Sequence, residues 1–236
     1  MLAMQIIVEG NWGHFKRPET NNNPLTHDFI TKTALIGMIG AVLGYDREEM
    51  KPLFPQLSND LLYGVVLKQP VKKISWGFTS RTAFKPWESG TPKYFEFLKN
   101  PSFKVIVALK NDNSKNIFNA FCDSVENEDS VFTPVLGWHN CPANLSFISR
   151  NEIEKIANTT ESITMNCFVS SNHKPQIDGG ESFRVGFENL PTYQNNDYWN
   201  LPNRYEKVIY PDAGHSITVK GDYYQDRQLK EKWWLI

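Results

Sequence analysis

The first 150 residues alternate between short apolar runs and polar segments that contain glycine or proline. Runs rich in Ile, Val and Leu predict β-strands, and a longer or amphipathic apolar stretch predicts a helix. Strands are expected at residues 4–9, 61–67, 71–76 and 103–109, helices at about 31–44 and 114–125, and a further strand with loops within 131–149. Apart from the additional strand at 71–76, the order is β-α-β-β-α-β, that of ferredoxin-like folds, which RNA-recognition domains share. We therefore predict an α+β protein.

The first predicted helix is apolar on nearly all sides, which is typical of a helix enclosed in a core. Thr31 or Thr33 is a suitable N-cap, and Gly44 would end the helix. Gly37 and Gly40 lie inside it and favour close packing, which we expect to be against a sheet. A dinucleotide-binding fingerprint would place its glycines in the turn before the helix, so these glycines do not predict a phosphate site.

Two breaks in the pattern indicate the domain organisation. Residues 79–101 contain three prolines and a glycine, which predict an irregular or hairpin-like insertion. Beyond about Arg150, loops rich in Asn, Pro and Gly separate short strands expected at 162–169, 182–187, 207–210 and 216–220. We predict an N-terminal domain over residues 1–150 and a small β-rich domain over 151–236.

Charge is distributed unevenly along the chain, although the net charge is only −1. Residues 1–110 carry 14 Lys and Arg against 9 Asp and Glu, whereas residues 111–236 carry 11 against 17. Three widely spaced cysteines argue against a disulfide framework and fit a reducing cytoplasm. No signal peptide is visible, and the longest uncharged apolar run is shorter than the ~20 residues that span a bilayer. A soluble, cytoplasmic protein without membrane contact is expected.

The loop after the first strand has the chemistry of a nucleic-acid contact. Single-stranded RNA needs cations for its phosphates and flat rings for its bases. Lys16 and Arg17 supply the charge, His14 and Phe15 supply rings, and Thr20 with Asn21 and Asn22 adds hydrogen-bond donors. The alternative is an exposed loop with one buried aromatic residue, since asparagine-rich loops are commonly simple turns.

A second candidate region lies between residues 61 and 87, where no acidic residue occurs. Four of its five cations, Lys72, Lys73, Arg81 and Lys85, are interleaved with Trp76, Phe78, Phe84 and Trp87. Clustered positive charge is what phosphate binding requires, but a solvated face produces the same pattern. We expect Trp76 and Trp87 to be packing residues.

The segment WGHFKRPETNNNPLTHDFITKTALIGMIGAVLGYDREE resembles the N-terminal signature of CRISPR-associated protein family five. In that signature an H-F-K/R loop leads through P-L-T into a T-A-L-I-G-x-I-G-A-x-L-G helix. Weaker agreement follows at VKKISWGF, FEFLKNPSFKVIVAL and FTPVLGWHNCPANLSFI, where the family has a P-x-L-G turn. The resemblance covers most of residues 1–150 and is closest to the type I-B branch.

This resemblance implies a RAMP-type subunit of Cascade, the type I CRISPR surveillance complex. Such a subunit binds the 5′ handle of the crRNA, caps the backbone of repeated subunits and contacts the large subunit that reads target DNA. By this resemblance, His14, Phe15, Lys16 and Arg17 are expected to occupy the loop that contacts the handle in the family. The family also carries a β-hairpin thumb, for which residues 77–102 are the best candidate.

One branch of the family cuts the crRNA precursor without metal, using His, Tyr and Lys. Here His14 and Lys16, with Tyr45 or Tyr63, could serve as acid, base and cation, but nothing in the sequence fixes their geometry. We favour a non-catalytic role, with a metal-independent endoribonuclease as the alternative. No cofactor and no metal site are expected, because no His or Cys has partners at ligand spacing.

Overall fold

A computed structural model describes residues 1–81, 87, 89–157, 160–173, 175, 185–195 and 202–236. The helices within these ranges are α1 Lys32–Leu43, α2 Arg47–Asp60 and α3 Lys115–Glu126. The strands are β1 Leu2–Glu9, β2 Trp12–Gly13, β3 Leu61–Leu67, β4 Lys73–Ser80, β5 Thr91–Lys99, β6 Ser102–Leu109, β7 Asn144–Ile156, β8 Ile163–Met165, β9 Val169–Ser170, β10 Val185–Pro191, β11 Tyr205–Pro211, β12 Ile217–Val219, β13 Tyr223–Asp226 and β14 Lys232–Trp233. This mixed fold, in which strands predominate, agrees with the predicted α+β class.

The largest sheet has six strands in the order β14-β13-β7-β1-β6-β3, and all neighbouring pairs are antiparallel. Because side chains alternate along a strand, its two faces carry different residues. Met4, Ile6 and Val8 of β1 pack in the core that includes α1 and α3. Ala3 instead packs, together with Ile106, in a second core that includes the short C-terminal strands. Both faces of the sheet are therefore covered.

Helix α1 begins and ends as the sequence predicts. The Thr31 hydroxyl accepts a hydrogen bond from the backbone N–H of Ala34, and Gly44 ends the helix with a φ of +79°. The expected close packing is present, but its partner differs. A Cβ on Gly40 would lie 2.6 Å from the sulfur of Met50, so this face of α1 meets α2 rather than the sheet.

Helix α2 is not predicted by the sequence pattern. Its N-terminus carries a capping box, in which Asp46 accepts hydrogen bonds from the N–H groups of Glu48 and Glu49. Pro52 and Pro55 lie inside the helix. Each proline removes a backbone donor and argues against a helix interior, which hid this element in the sequence. Burial of Met50 and Leu57 against neighbouring elements compensates for those lost bonds.

A second, three-stranded sheet has the order β2-β5-β4. β4 is longer than the strand predicted at 71–76. Of the two alternatives for residues 79–101, the hairpin-like one agrees with the structure, in which β4 and β5 pair as a regular antiparallel hairpin. Its register runs from Lys73 opposite Leu98 to Ser80 opposite Thr91. Residues 82–86 and 88, between these strands, lie outside the described part of the chain.

The segment beyond residue 150 does not begin at a linker. Strand β7 runs through the predicted boundary, and β13 pairs with it, so residues on both sides of the boundary share the six-stranded sheet. Strands β8 to β12 lie near the predicted strand positions, whereas β13 and β14 were not predicted. Among the described residues, no helix has both the length and the apolar character needed to cross a bilayer.

Candidate nucleic-acid interface

Residues 14–27, which we call the basic loop, fold back on themselves. Phe15 accepts a backbone hydrogen bond from His27 at 2.8 Å, and Arg17 donates one to Leu25 at 2.8 Å. The Thr20 hydroxyl donates to the Arg17 carbonyl at 2.9 Å and accepts from the Leu25 N–H at 3.0 Å. The predicted donor Thr20 therefore closes the loop with its hydroxyl, and the backbone of the basic loop is held in a defined shape.

The basic loop covers the edge of β5 that β4 leaves open. The N–H of Glu96 donates to the Pro24 carbonyl at 3.0 Å, and its carboxylate accepts from the N–H of Thr26 at 3.1 Å. The Asn23 side chain accepts from the N–H of Tyr94 at 3.2 Å. Loop and hairpin therefore form one unit, although more than 60 residues separate them in sequence.

The turn around Gly137 fixes the start of the basic loop. His14 donates a backbone hydrogen bond to the Leu136 carbonyl at 2.9 Å. Gly137 has a φ of +81°, and a Cβ at this position would lie 2.3 Å from the His14 carbonyl oxygen. Only glycine tolerates both that conformation and that approach. This glycine belongs to the P-x-L-G turn noted in the sequence.

The two predicted stacking residues are buried. Phe15 is 3% exposed, and its ring centroid lies 6.2 Å from that of Phe103 in the core. His14 is 5% exposed, and its Nδ1 donates to the Glu96 carbonyl at 2.7 Å. Burial lowers the pKa of His14, an effect that this hydrogen bond partly opposes. Core packing therefore accounts for both rings, and neither presents a face to a base in this structure.

Lys16 is the exposed cation of the basic loop. It makes no ion pair or side-chain hydrogen bond within the described ranges. It borders a groove of about 350 Å³, whose walls also include Thr33 at the start of α1, Gly137 and Gln194. Asn21 is also exposed, farther along the loop. Lys16 is thus positioned to meet a phosphate without first breaking an internal contact.

Arg17, by contrast, is held by an acidic residue from a distant strand. Its guanidinium lies 2.7 Å from Glu188 Oε1, and Glu188 is completely buried at its side chain. The same carboxylate contacts His27 Nδ1 at 2.8 Å and accepts from the Asp28 N–H at 3.0 Å. Because 171 residues separate Arg17 from Glu188, local sequence could not reveal this pairing.

Lys73 is also neutralised by neighbouring carboxylates. Its ammonium lies 2.5 Å from Asp28 and 3.4 Å from Glu96, and it donates to the Thr26 carbonyl at 3.0 Å. Asp28 in turn accepts a hydrogen bond from the Tyr210 hydroxyl. Lys73 therefore joins the hairpin to the basic loop, and its charge is compensated.

The other predicted cations lie apart from one another. Lys72 is exposed at the base of the hairpin, and Arg81 is exposed just after β4. The length of β4 separates them by roughly 25 Å. Lys85 lies outside the described residues. The structure thus brings Lys16, Arg17, Thr20, Asn21 and Lys73 together and leaves Arg81 remote.

A sequence model of the family described as "CRISPR-associated protein (Cas_Cas5)" matches residues 5–204. No curated protein matches. A CRISPR protein from Archaeoglobus fulgidus has a similar crystal structure, with a TM-score of 0.58 at 10% identity, covering 99% of this chain and 98% of that one.

A chain of a structure described as "CRISPR RNA-guided surveillance complex" is also similar, with a TM-score of 0.51 at 13% identity. That match covers 92% of this chain and 91% of the other. At these identities the structural matches establish a shared fold, whereas the family match rests on sequence over most of the chain. The protein therefore belongs to the CRISPR-associated Cas5 family.

Proposed function

We propose that this protein is the subunit of a type I CRISPR surveillance complex that holds the 5′ handle of crRNA. The observation that carries the proposal is the placement of Lys16, an exposed and uncompensated cation on a rigid loop beside an open groove. An ordered loop loses little conformational freedom when a ligand binds, which favours affinity. Family membership supports the same role, as does the similarity to a chain of a surveillance complex.

The sheet and the hairpin fit this role. Strands β7-β1-β6-β3 have the order of a ferredoxin-like fold, with α1 and α2 joining β1 to β3 and α3 joining β6 to β7. We propose that this is the RAMP-type RNA-binding core and that the β4–β5 hairpin is the thumb. The proposed partners are the backbone subunit, the large subunit and, indirectly, target DNA. The assignment to type I-B stays a prediction.

We further propose a non-catalytic role. His14 is buried among Phe95, Phe97 and Trp138, and burial lowers its pKa. A general acid or base must reach the proton that it transfers. Tyr63, a candidate phenol, is completely buried, and burial raises its pKa. These surroundings favour a holder of RNA over the alternative, a metal-independent endoribonuclease.

Salt-dependent RNA binding tests the proposal. The purified protein is titrated with RNA of its own repeat at several salt concentrations in EDTA, and the products are examined for cleavage. We expect intact RNA, and we expect Lys16→Ala to weaken binding because one phosphate contact is lost. The slope of a plot of the logarithm of the binding constant against the logarithm of the salt concentration should become shallower by about 0.7.

Lys220→Ala is the matched control, because Lys220 is an exposed lysine beyond β12 that has no ion pair among the described residues. The RNA affinity of the Lys220→Ala variant, and the slope of that affinity with salt, should equal those of the unmodified protein. Equal slopes for Lys16→Ala and Lys220→Ala would contradict the proposed site. Cleavage of the repeat that His14→Ala abolishes would replace the holding role with the catalytic one.

A further inference from the structure

The two faces of the β4–β5 hairpin have different chemistry. One face carries Lys73 and Glu96, which are paired with each other and with residues of the basic loop. The opposite face, which we call the ring face, carries aromatic residues from both strands. In the register of the hairpin Trp76 lies opposite Phe95, and Phe78 lies opposite Lys93. The ion pair and the side-chain hydrogen bond that attach the hairpin to the basic loop therefore belong to the first face, whereas the ring face meets the loop at the His14 ring, beside Phe95 and Phe97.

Rings on this face stack in part on one another and remain in part exposed. Trp138 lies over the ring face. The centroids of its ring and the Phe95 ring are 5.1 Å apart, and the two ring planes are only 10° from parallel. Trp76 packs 4.3 Å from Trp12. Nevertheless Trp76 is 41% exposed and Phe78 is 38% exposed. Trp138 thus covers one part of an aromatic surface and leaves the neighbouring part open to another flat group.

Charge on the ring face is entirely positive. By the alternation of side chains, Lys93 and Lys99 lie on the same face of β5 as Phe95 and Phe97. The backbone of Lys99 pairs with that of exposed Lys72. None of these three lysines has an ion pair within the described ranges, and no position on this face of either strand is Asp or Glu. Like charges opposite each other destabilise a strand pair, which an anionic ligand would relieve.

We propose that the ring face is a base-stacking platform for single-stranded RNA, on which bases stack against Trp76 and Phe78 while phosphates lie near Lys93 and Lys99. This inference rests on the proposed function and extends it, because it places a second contact on the hairpin, away from Lys16. Exposed rings combined with unpaired cations are the composition of single-strand binding surfaces. A protein partner is less well matched, since lysine is depleted at the centres of protein interfaces.

The test uses the full chain and repeat RNA in which one base at a time is replaced by 2-aminopurine, whose fluorescence falls when it stacks. We expect quenching at one or two positions. Trp76→Leu with Phe78→Leu should remove that quenching and weaken binding at least tenfold, because stacking on each ring is lost. Trp76→Phe should keep most of the affinity. Tyr94→Leu is the matched control, because Tyr94 is 58% exposed on the opposite face of the same hairpin.

The outcomes separate this inference from the proposed function. Failure of the unmodified protein to bind repeat RNA would overturn both. Binding that depends on Lys16 but keeps its affinity and quenching in the doubly substituted variant would overturn the platform alone. Unchanged RNA binding with loss of a co-purifying subunit would also overturn it and would assign the ring face to a protein partner.

A second variant decides the question should the aromatic variant fail to fold. Lys93→Gln with Lys99→Gln changes only side chains without ion pairs among the described residues. The salt slope of RNA binding should become shallower by about 1.4, which corresponds to two phosphates. An unchanged slope in this folded variant would overturn the platform.

Discussion

Lys32 is a lysine placed where its charge is unfavourable. It is the first residue of α1 and only 4% exposed. Burial, and then repulsion from Lys110 and Arg204, lower its pKa to about 7 from an ordinary 10.5. Below about pH 7 the ammonium is charged in both the folded and the unfolded chain, so the folded state bears the full cost. As the pH rises toward 10.5 that cost disappears.

Lys32→Met should therefore stabilise the protein in a pH-dependent way. At pH 6 its free energy of unfolding should exceed that of the unmodified chain by a few kcal/mol, because a buried charge has been removed. The difference should shrink steadily between pH 7 and pH 10. Urea unfolding at three pH values measures it, with the exposed Lys115 changed to Met as the control. A difference that does not vary with pH would contradict the assigned cause.

Among single residues, prediction from sequence succeeded where the environment is local. The exposure of Lys16 and the capping role of Thr31 depend on neighbours in the chain. The pairing of Arg17 with Glu188 depends on a strand that no local pattern connects to the basic loop. Nor does local pattern reveal that Phe15 fills a core position, since a loop phenylalanine can be buried or exposed.

Strand β10 holds the basic loop through one carboxylate. Glu188 accepts from Arg17, contacts His27 and accepts from the Asp28 N–H, all from a fully buried position. Removing the charge of a buried, paired group leaves its partner uncompensated. The conformation of the basic loop therefore depends on an element more than 150 residues away.

Glu188→Gln should destabilise the protein by about 3–5 kcal/mol, because Arg17 loses its buried partner. It should also speed tryptic cleavage after Lys16, since the loop is no longer held to β10. Urea unfolding measures the first effect and limited proteolysis the second. The control is Glu19→Gln, which changes an exposed carboxylate in the same loop. Equal cleavage rates in the two variants would show that Glu188 does not hold the loop.

At the level of elements, periodicity located most strands and two of the helices, whereas α2 and the length of the hairpin were missed. Pro52 and Pro55 disguised α2, whose stability comes from packing rather than from local preference. Proline and glycine between residues 79 and 101 left an irregular segment and a hairpin-like one both open, and β5 includes Pro92 near its start and continues to Lys99. Cross-strand aromatic pairs, which a single segment cannot display, favour the regular hairpin.

The whole molecule is organised around a sheet that both parts of the chain build. Trp233, which lies in the predicted β-rich domain of residues 151–236, is 1% exposed and packs in the same core as Ile106 of the central sheet. The sequence suggested a boundary at residue 150 because the composition changes there. Amino-acid composition, however, reflects only the local preference for strand or loop. It does not reveal that strand β7 continues across residue 150.

Trp233→Ala should therefore destabilise the entire chain rather than its last third. We expect a loss of about 3–5 kcal/mol, because a large buried side chain is removed. Unfolding in urea should remain a single transition by both far-UV circular dichroism and tryptophan fluorescence. Trp87→Ala, at a position 79% exposed, is the control and should change stability by less than about 0.5 kcal/mol. Two separate transitions would indicate independently folding parts.

The contacts along the outer edge of β3 limit how this protein can assemble. Tyr63 exchanges two backbone hydrogen bonds with Ile236, at 2.9 and 3.0 Å, and Val65 accepts another from Phe168. An uncovered sheet margin invites a foreign strand to join it by backbone pairing. Here the backbone groups at this edge are already paired with residues of the same chain. A neighbouring subunit on this side must therefore be recognised through side chains. Side chains differ between proteins and can distinguish one partner from another, whereas the backbone cannot.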